Sequence, residues 1–222
     1  MGKTKIIAIE GIDGSGKTVQ WSNLINELKS LGYSVEGLEF PRYDAYFGKQ
    51  IGRFLSGREG VTATDIDNKS MALWFALDRW DAFSSFDMSS IDFLVINRYV
   101  WSNAVYQSIR EGDTDLVDWV LDLEFDRLSL PKPDVTIVLD VIPCRAKANI
   151  SQKGLREYIG DKADAYESSE HIQQKAREKY IECAKKHADI TIIDCTDDSG
   201  KMLPSDEISL AIKEALIFRN II

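Results

Sequence analysis

Short apolar runs rich in β-branched residues recur along the chain, separated by longer segments in which apolar residues return every three or four positions. The first pattern predicts buried strands and the second predicts helices that cover them. Strands that alternate with helices pair in parallel through right-handed crossovers. The sequence therefore predicts an α/β fold, a three-layer α/β/α sandwich with a five-stranded parallel sheet, whose strands we place at 6–10, 33–40, 93–97, 135–140 and 190–194.

A glycine-rich segment follows the first predicted strand directly. Residues 11–18 read Gly-Ile-Asp-Gly-Ser-Gly-Lys-Thr, the pattern G-x-x-x-x-G-K-T, and a segment with helical spacing comes next. A strand, a glycine loop and a helix in this order favour a phosphate cradle of backbone N–H groups over an ordinary turn. We expect a nucleoside triphosphate here, with Lys17 at its β- and γ-phosphates and the Thr18 hydroxyl on Mg²⁺. The loop residues that would bind it are Gly11, Asp13, Gly14, Ser15, Gly16, Lys17 and Thr18.

The composition limits the classes of ligand and the compartment. The chain has 222 residues, of which 44% are hydrophobic, and a net charge of −9, which fits one α/β domain over 1–222. The acidic balance argues against a nucleic-acid surface, which needs an excess of basic residues. No apolar stretch approaches the roughly 20 residues of a membrane span. Three cysteines without a C-x-x-C pair argue against disulfides and against a zinc site. Together with the lack of a signal-peptide pattern, they predict a location in the reducing cytoplasm.

Two further segments are predicted to line a ligand cleft. In a helix predicted over 66–83, Trp74, Phe75 and Arg79 share one face. Trp74 could equally be an ordinary core residue, but a guanidinium beside aromatic rings favours a cleft that binds a planar base. The polar segment 151–164 has two glycines and little apolar periodicity, which predicts a mobile lid rather than a plain surface loop.

Ordered motifs over nearly the whole chain resemble the thymidylate kinase family of nucleoside monophosphate kinases, most closely its bacterial, actinobacterial type. Besides the phosphate loop they are Phe-Pro-Arg-Tyr at 40–43, Phe-Ala-Leu-Asp-Arg at 75–79, Arg-Tyr-Val-Trp-Ser-Asn at 98–103, Leu-Pro-Lys-Pro-Asp at 130–134 and Asp-Ala-Tyr-Glu at 164–167. The loop alone is common to many families, whereas the ordered set is specific. The resemblance implies transfer of the γ-phosphoryl of ATP to dTMP, with Mg²⁺, by a homodimer without nucleic-acid or membrane partners.

The resemblance also implies roles for single residues. Arg42 and Arg98 would fork onto the acceptor phosphate, because a reaction between two polyanions needs cations that hold both in line. Phe75 would stack on thymine, Arg79 would donate to a base carbonyl, and Asp13 would help Thr18 to hold Mg²⁺. The implied catalytic residues are Lys17, Arg98, Arg156 and Asp13. Further substrate contacts are implied at Phe40, Tyr43, Asn103, Tyr106, Tyr166 and Glu167. Of these, either Tyr106 or Tyr166 would exclude a 2′-hydroxyl on the sugar.

The sequence motifs do not directly identify the cation that contacts the transferring phosphoryl group, or the residues that contact adenine. Positions 12–15 hold no basic residue, so the cation would come from the lid, from Lys153 or Arg156. We prefer Arg156 because its fork can clasp the transition-state charge; the alternative is a solvated loop charge. Arg145, Lys147 and Asn149 stay open as the residue that stacks on adenine, with the turn at Cys195 as the opposite wall.

One position departs from the family pattern. Asn97 stands where the family normally has an aspartate that serves the metal and the loop lysine. Asp13 or Glu39 could supply the missing charge, the acceptor could differ from dTMP, or the protein could be a slow or degenerate kinase. We prefer the first account, since the other motifs are intact, and expect Asn97→Asp to raise turnover. Unchanged or lower turnover would indicate a site rebuilt around the amide.

Two rival functions stay open at this point. A deoxynucleoside kinase would use Glu39 as a general base on a 5′-hydroxyl, but it would leave Arg42 and Arg98 without a phosphate to bind. A nucleotide-gated binding protein would use the loop as a switch, but it has no use for a phosphate clamp beside a base-stacking wall. The implied homodimer is compatible with an apolar face at Trp119, Leu123 and Phe125.

Overall fold

One parallel sheet organises the chain. The computed structural model describes residues 3–57, 60–110, 116–152 and 170–222, with side chains left out at 150–152. Its strands are β1 (Lys5–Gly11), β2 (Val35–Glu39), β3 (Phe93–Asn97), β4 (Val135–Asp140) and β5 (Ile190–Asp194). They lie in the order β2-β3-β1-β4-β5, and every neighbouring pair is parallel. The predicted α/β fold is confirmed, and β3, β4 and β5 have the predicted bounds.

Helices connect the strands and cover the sheet in two groups. Helix α1 packs on β1, β2 and β3 and against α8, while α4 packs on β1 and against α3 and α7. The helices of the described residues are α1 (Lys17–Ser30), α2 (Tyr46–Ser56), α3 (Asn68–Ser84), α4 (Val100–Ser108), α5 (Val117–Leu121), α6 (Pro143–Gln152), α7 (Glu170–Lys186) and α8 (Ser205–Phe218), and α5 continues into a π-helical turn at Asp122–Arg127.

Burial explains why the apolar runs identify the strands. All five residues of β3 are buried, and the central strand β1 is buried from Ile6 to its end, because helices lie over both strands. A strand covered on both faces needs apolar residues at every position. The edge strands β2 and β5 are partly exposed along their length. The core therefore lies between the central strands and the helices on either side.

The carboxyl ends of the strands place the segments that carry chemistry. In a parallel sheet these ends lie along one edge, where ligands bind. The glycine-rich loop follows β1, residues 40–45 follow β2, and Arg98 and Tyr99 follow β3. The helix predicted over 66–83 is α3, which begins after Asp67, whose side chain accepts the Ser70 N–H at 3.0 Å.

Most of the predicted lid lies outside the described residues. Its first two positions, 151 and 152, belong to the end of α6, and residues 153–169 follow without description. Within the described ranges, no helix combines the length and the apolar character needed to cross a membrane.

Candidate active site

The loop after β1 has the backbone of a phosphate cradle. Gly11, Gly14 and Gly16 have positive φ angles of 137°, 80° and 91°. A Cβ on Gly11 would lie 2.7 Å from the carbonyl oxygen of Leu139 on β4, so glycine is needed there for close approach as well as for conformation. Gly16 caps the start of α1, so the positive end of that helix faces the loop.

Lys17 lies across this loop. Its ammonium donates to the carbonyl oxygens of Gly11 at 2.9 Å and Ile12 at 2.6 Å, and the residue is buried. The hydroxyl of Ser15 is also buried and has no hydrogen-bond partner in the described part of the chain. A buried cation and an unpartnered hydroxyl in a glycine-rich loop at a helix N-terminus fit a bound polyphosphate.

Arg98 and Asp13 join the end of β3 to the loop. A guanidinium nitrogen of Arg98 pairs with one carboxylate oxygen of Asp13. The other oxygen accepts the Tyr106 hydroxyl at 3.3 Å and the Gln173 amide at 3.0 Å. Burial, followed by the charge of Asp13, raises the pKa of Tyr106 well above its ordinary value, so the phenol stays protonated and donates. The structure therefore brings together three predicted site residues: Asp13 after β1, Arg98 after β3 and Tyr106 on α4.

Gln173 is a member of this cluster that the sequence did not indicate. Its Oε1 accepts the backbone N–H of Asp13 and the Tyr106 hydroxyl, both at 3.0 Å. It lies on α7, beyond the predicted lid, in a helix of ordinary polar composition. No motif marks a lone glutamine of this kind, so only the packing of α7 identifies it.

Asn97 connects the end of β3 to Thr18 and to Glu39. Its amide nitrogen donates to Glu39 Oε1 at 2.7 Å and to Thr18 Oγ1 at 3.4 Å. Its Oδ1 is buried and has no hydrogen-bond partner among the described residues. The neutral amide thus lies between a hydroxyl predicted to ligate metal and a carboxylate at the end of the neighbouring strand.

The oxygen atoms around Thr18 and the loop fit Mg²⁺ rather than a softer metal. Within the described ranges, no group of three or more His, Cys, Asp and Glu side chains could enclose a metal ion. Mg²⁺ is typically held by one or two protein oxygens, with substrate phosphates and water completing its shell. The Thr18 hydroxyl and the Asp13 carboxylate are such groups, and the amide nitrogen of Asn97 lies 3.4 Å from the first.

Arg79 and Asn103 meet at a buried carboxylate that the sequence did not indicate. Glu124, in the π-helical turn, accepts Nε and Nη2 of Arg79 at 2.5 and 2.6 Å. It also accepts the amide nitrogen of Asn103 at 2.8 Å, and all three residues are buried. The fold therefore joins two predicted substrate contacts through a residue from a segment in which the sequence indicated only an apolar face.

The motif at 40–43 is bound to α3. The guanidinium of Arg42 donates to the Asp78 carboxylate at 3.3 Å, to the Asp78 carbonyl at 2.9 Å and to the Asp81 carboxylate at 2.6 Å. Its backbone N–H donates to Asp78 as well, at 2.8 Å. Among the described residues, every side-chain hydrogen bond of Arg42 goes to α3. The structure thus holds Arg42 against α3, and its pairing with Arg98 at one phosphate stays a prediction.

The aromatic residues predicted to contact substrate differ in burial. Phe40 is 2% exposed and contacts the rings of Phe83 and Tyr99, with centroids 6.4 and 6.2 Å away. Tyr43 and Phe75 are only partly buried, so their rings are accessible to a ligand. Phe40 is thus a core residue by its packing.

On the predicted adenine side, two candidates on α6 have distinct positions. Nε of Arg145 donates to the Gly200 carbonyl at 2.9 Å, in the segment after β5. The amide of Asn149 donates to the Gly14 carbonyl at 3.0 Å, in the phosphate loop. Cys195 is fully buried, and burial raises the pKa of its thiol to about 12. Its backbone N–H donates to the Asp140 carbonyl and its own carbonyl accepts the Leu203 N–H, so the whole residue is covered in this arrangement.

Three predicted site residues lie outside the described part of the chain. They are Arg156, Tyr166 and Glu167, and Lys153 is outside it too.

Comparison with known proteins identifies relatives over most of the chain. A family model described as thymidylate kinase matches residues 9–202. A thymidylate kinase from Mycobacterium tuberculosis is 35% identical over 185 residues, which cover 81% of this chain and 85% of the relative. A probable thymidylate kinase from Thermococcus onnurineus is 30% identical over 193 residues, covering 84% and 87%.

Solved structures share the same architecture. A thymidylate kinase from Candida albicans matches with a TM-score of 0.72 at 23% identity, covering 98% of this chain and 93% of that one. The thymidylate kinase of Ehrlichia chaffeensis matches with a TM-score of 0.67 at 21% identity, covering 97% and 100%. At these identities the likeness establishes the fold.

Proposed function

Because this chain belongs to the thymidylate kinase family, we propose that it transfers the γ-phosphoryl group of ATP to dTMP, giving dTDP and ADP. The observation that carries the proposal is the position of Arg98 at the phosphate loop, through Asp13. Two polyanions must come together in this reaction, and catalysis consists mainly of positioning them and offsetting their charge. A second cation beside a triphosphate loop is what a phosphorylated acceptor needs.

Donor and acceptor would occupy opposite sides of Asp13. Lys17 and the loop N–H groups would bind the phosphates of ATP, and Arg98 would bind the 5′-phosphate of dTMP. Arg42 would bind the same phosphate in place of Asp81, whose side chain is 47% exposed. Its contacts with the buried Asp78 would persist. Phe75, Arg79 and Asn103 would hold the base, with Tyr106 near the sugar.

The metal would be held by Thr18 and Asp13, with Asn97 and Glu39 beside them. When bound, Mg²⁺ neutralises charge on the β- and γ-phosphates. The support for these residues is the oxygen-only donor set and the unpartnered Oδ1 of Asn97.

The remaining expectations stay predictions. Arg156 would supply a cation from the lid, and Tyr166 and Glu167 would contact the acceptor. Of the three open candidates for the adenine contact, Arg145 is favoured because it contacts the segment after β5. The single domain with a lid over 151–164, the cytoplasmic location and the homodimer also stay predictions.

Deoxynucleoside kinase activity is the less favoured alternative. Its general base would be Glu39, but that carboxylate accepts a hydrogen bond from the Asn97 amide. A neutral nucleoside would also leave Arg98 without an anionic partner on the substrate. The family relationship supports the monophosphate as acceptor.

A coupled ADP-release assay tests the proposal. With ATP and Mg²⁺, we expect kcat/KM to be highest for dTMP among dTMP, dUMP, dCMP and dGMP, and no turnover of thymidine. Lys17→Ala should lower kcat at least about 100-fold, because it removes a charge from the reacting phosphates. Lys29→Ala, at an exposed position near the end of the same helix, is the matched control. Phosphorylation of thymidine but not dTMP, or ATP binding without transfer, would contradict the proposal.

A further inference from the structure

Glu124 is a fully buried carboxylate that receives three N–H donors. Its Oε2 accepts Nε of Arg79 at 2.5 Å, and its Oε1 accepts Nη2 of Arg79 at 2.6 Å and Nδ2 of Asn103 at 2.8 Å. Glu124 is 0% exposed, and its two partners are each 2% exposed. Buried charges of this kind are tolerated only when they are paired and hydrogen-bonded, so this geometry is strongly determined.

The carboxylate determines which atoms of Asn103 and Arg79 are left for a ligand. Because a carboxylate only accepts, it selects the NH₂ side of the Asn103 amide. That nitrogen also donates to the Ala72 carbonyl at 3.0 Å, so both of its hydrogens are used. Oδ1 of Asn103 faces away, is buried and has no hydrogen-bond partner among the described residues. Across those same residues, Nη1 of Arg79 makes no hydrogen bond, which leaves one donor and one acceptor.

Helix α4 connects this pair of atoms to the phosphate loop. Asn103 and Tyr106 are three residues apart on α4, and the Tyr106 hydroxyl reaches Asp13 of the loop at 3.3 Å. One helical turn, about 5 Å, therefore separates the amide from the residue that contacts the loop. Phe75 lies one turn before Arg79 on α3 and is accessible for stacking.

We propose that Glu124 makes the acceptor site selective for 4-keto pyrimidines over cytosine, by holding Arg79 as a donor and Asn103 as an acceptor. The inference rests on the proposed function, which places a pyrimidine monophosphate in this site. Thymine and uracil present an acceptor at O4 beside a donor at N3–H. Cytosine presents a donor at its 4-amino group beside an acceptor at N3. A donor and an acceptor held in this order pair with the first edge, whereas cytosine would leave buried polar groups unpaired.

Glu124 acts through Arg79 and Asn103, so it is a positioning residue. The measurement that tests this role is the ratio of kcat/KM for dTMP to kcat/KM for dCMP. In Glu124→Gln the amide can donate as well as accept, so Asn103 is free to present its NH₂ group to the base. We expect the ratio to fall at least about tenfold, chiefly through a higher KM for dTMP. Glu124→Asp, which keeps the charge but is one methylene shorter, should restore part of the ratio.

The matched control is Asp122→Asn in the same π-helical turn. Asp122 is exposed and pairs with Arg127 at 3.1 Å, so its loss should leave the ratio unchanged. A ratio between two substrates does not depend on how much of a variant is folded, which keeps the test valid if Glu124→Gln is destabilised. Wild-type protein that does not phosphorylate dTMP would overturn the proposed function. Wild-type preference for dTMP over dCMP with an unchanged ratio in both Glu124 variants would overturn only this inference.

Discussion

Asn97 and Glu39 are directly opposite each other in neighbouring parallel strands. They are register partners at the ends of β3 and β2, and the amide nitrogen of Asn97 is 2.7 Å from a Glu39 carboxylate oxygen. Side chains at paired positions on one face of a sheet interact directly. A negative charge lost at position 97 can therefore be supplied from the adjacent strand. This geometry supports the account in which Glu39 replaces the charge of the family's aspartate.

Variants that move the negative charge from position 39 to position 97 test this account. We expect Glu39→Gln to lower kcat about 10- to 100-fold and to weaken the Mg²⁺-dependent part of ATP binding, because it removes the charge beside Thr18. Asn97→Asp in the Glu39→Gln background should restore both. The sequence alone led us to expect that Asn97→Asp would raise turnover. The contact with Glu39 reverses that expectation, because Asn97→Asp alone puts two carboxylates within hydrogen-bond distance and should give no gain. Titration of a fluorescent ATP analogue with and without Mg²⁺ provides the readout besides turnover.

Glu36→Gln is the control for this series, because Glu36 is an exposed residue of the same strand. If Asn97→Asp alone raised turnover, the charge would be missing rather than relocated. Equal activity of Glu39→Gln and wild type would lead to the same conclusion.

Helix α4 carries Asn103 and Tyr106, and its position depends on one buried carboxylate. Glu10, on β1, accepts the backbone N–H groups of Tyr99 at 2.8 Å and Ser102 at 3.0 Å. It also accepts the hydroxyl of Tyr180 on α7 at 3.1 Å. A negative charge at a helix N-terminus satisfies backbone donors that lack a partner within the helix. Glu10 thus connects β1, α4 and α7 directly beneath the loop.

Removing the charge of Glu10 should weaken the attachment of α4 to β1 and α7 as a whole. We expect Glu10→Gln to lower the free energy of unfolding by about 1–3 kcal/mol, because buried donors lose a charged acceptor. Chemical unfolding followed by circular dichroism measures the change, with Glu36→Gln as a surface control that should stay within about 0.5 kcal/mol. A wild-type unfolding midpoint for Glu10→Gln would show that α4 is held by its packing alone.

At the scale of the whole molecule, α3 presents an apolar surface as well as the site residues. Leu73 and Trp80 are 41% and 46% exposed, and they lie seven residues apart on one face of α3. The sequence led us to expect an apolar face at Trp119, Leu123 and Phe125. Trp119 and Phe125 are instead partly buried against the core, and Leu123 is partly buried too. The surface of Leu73 and Trp80 therefore supports the predicted homodimer better than the α5 segment does.

Charge on this surface should separate the subunits. We expect Leu73→Lys/Trp80→Lys to shift the protein from dimer to monomer, because burying two unpaired ammonium groups at an interface is costly. Light scattering after size-exclusion chromatography measures the mass. Phe218→Lys, at a residue of α8 that is 88% exposed, should leave it unchanged. A wild-type monomer, or a double variant that stays dimeric, would remove Leu73 and Trp80 from the interface.

The sequence by itself determined the strands, the phosphate loop and the positions that follow β2 and β3. Buried parallel strands need unbroken apolar runs, and a phosphate cradle needs glycines at fixed spacing, so both leave local signals. Arg79, Asn103, Arg98 and Asp13 lie in the ordered motifs by which the sequence resembles the family, and their roles are implied by that resemblance.

Only the tertiary structure decided which of these side chains meet. It placed Glu124 between Arg79 and Asn103, turned Arg42 to α3, and put Glu39 against Asn97. Glu124 lies in a π-helical turn, in a segment for which the sequence indicated only an apolar face. Partners far apart in the chain leave no periodicity, because their distance depends on how whole elements pack. Charge pairing inside the cleft is therefore a property of the assembled fold.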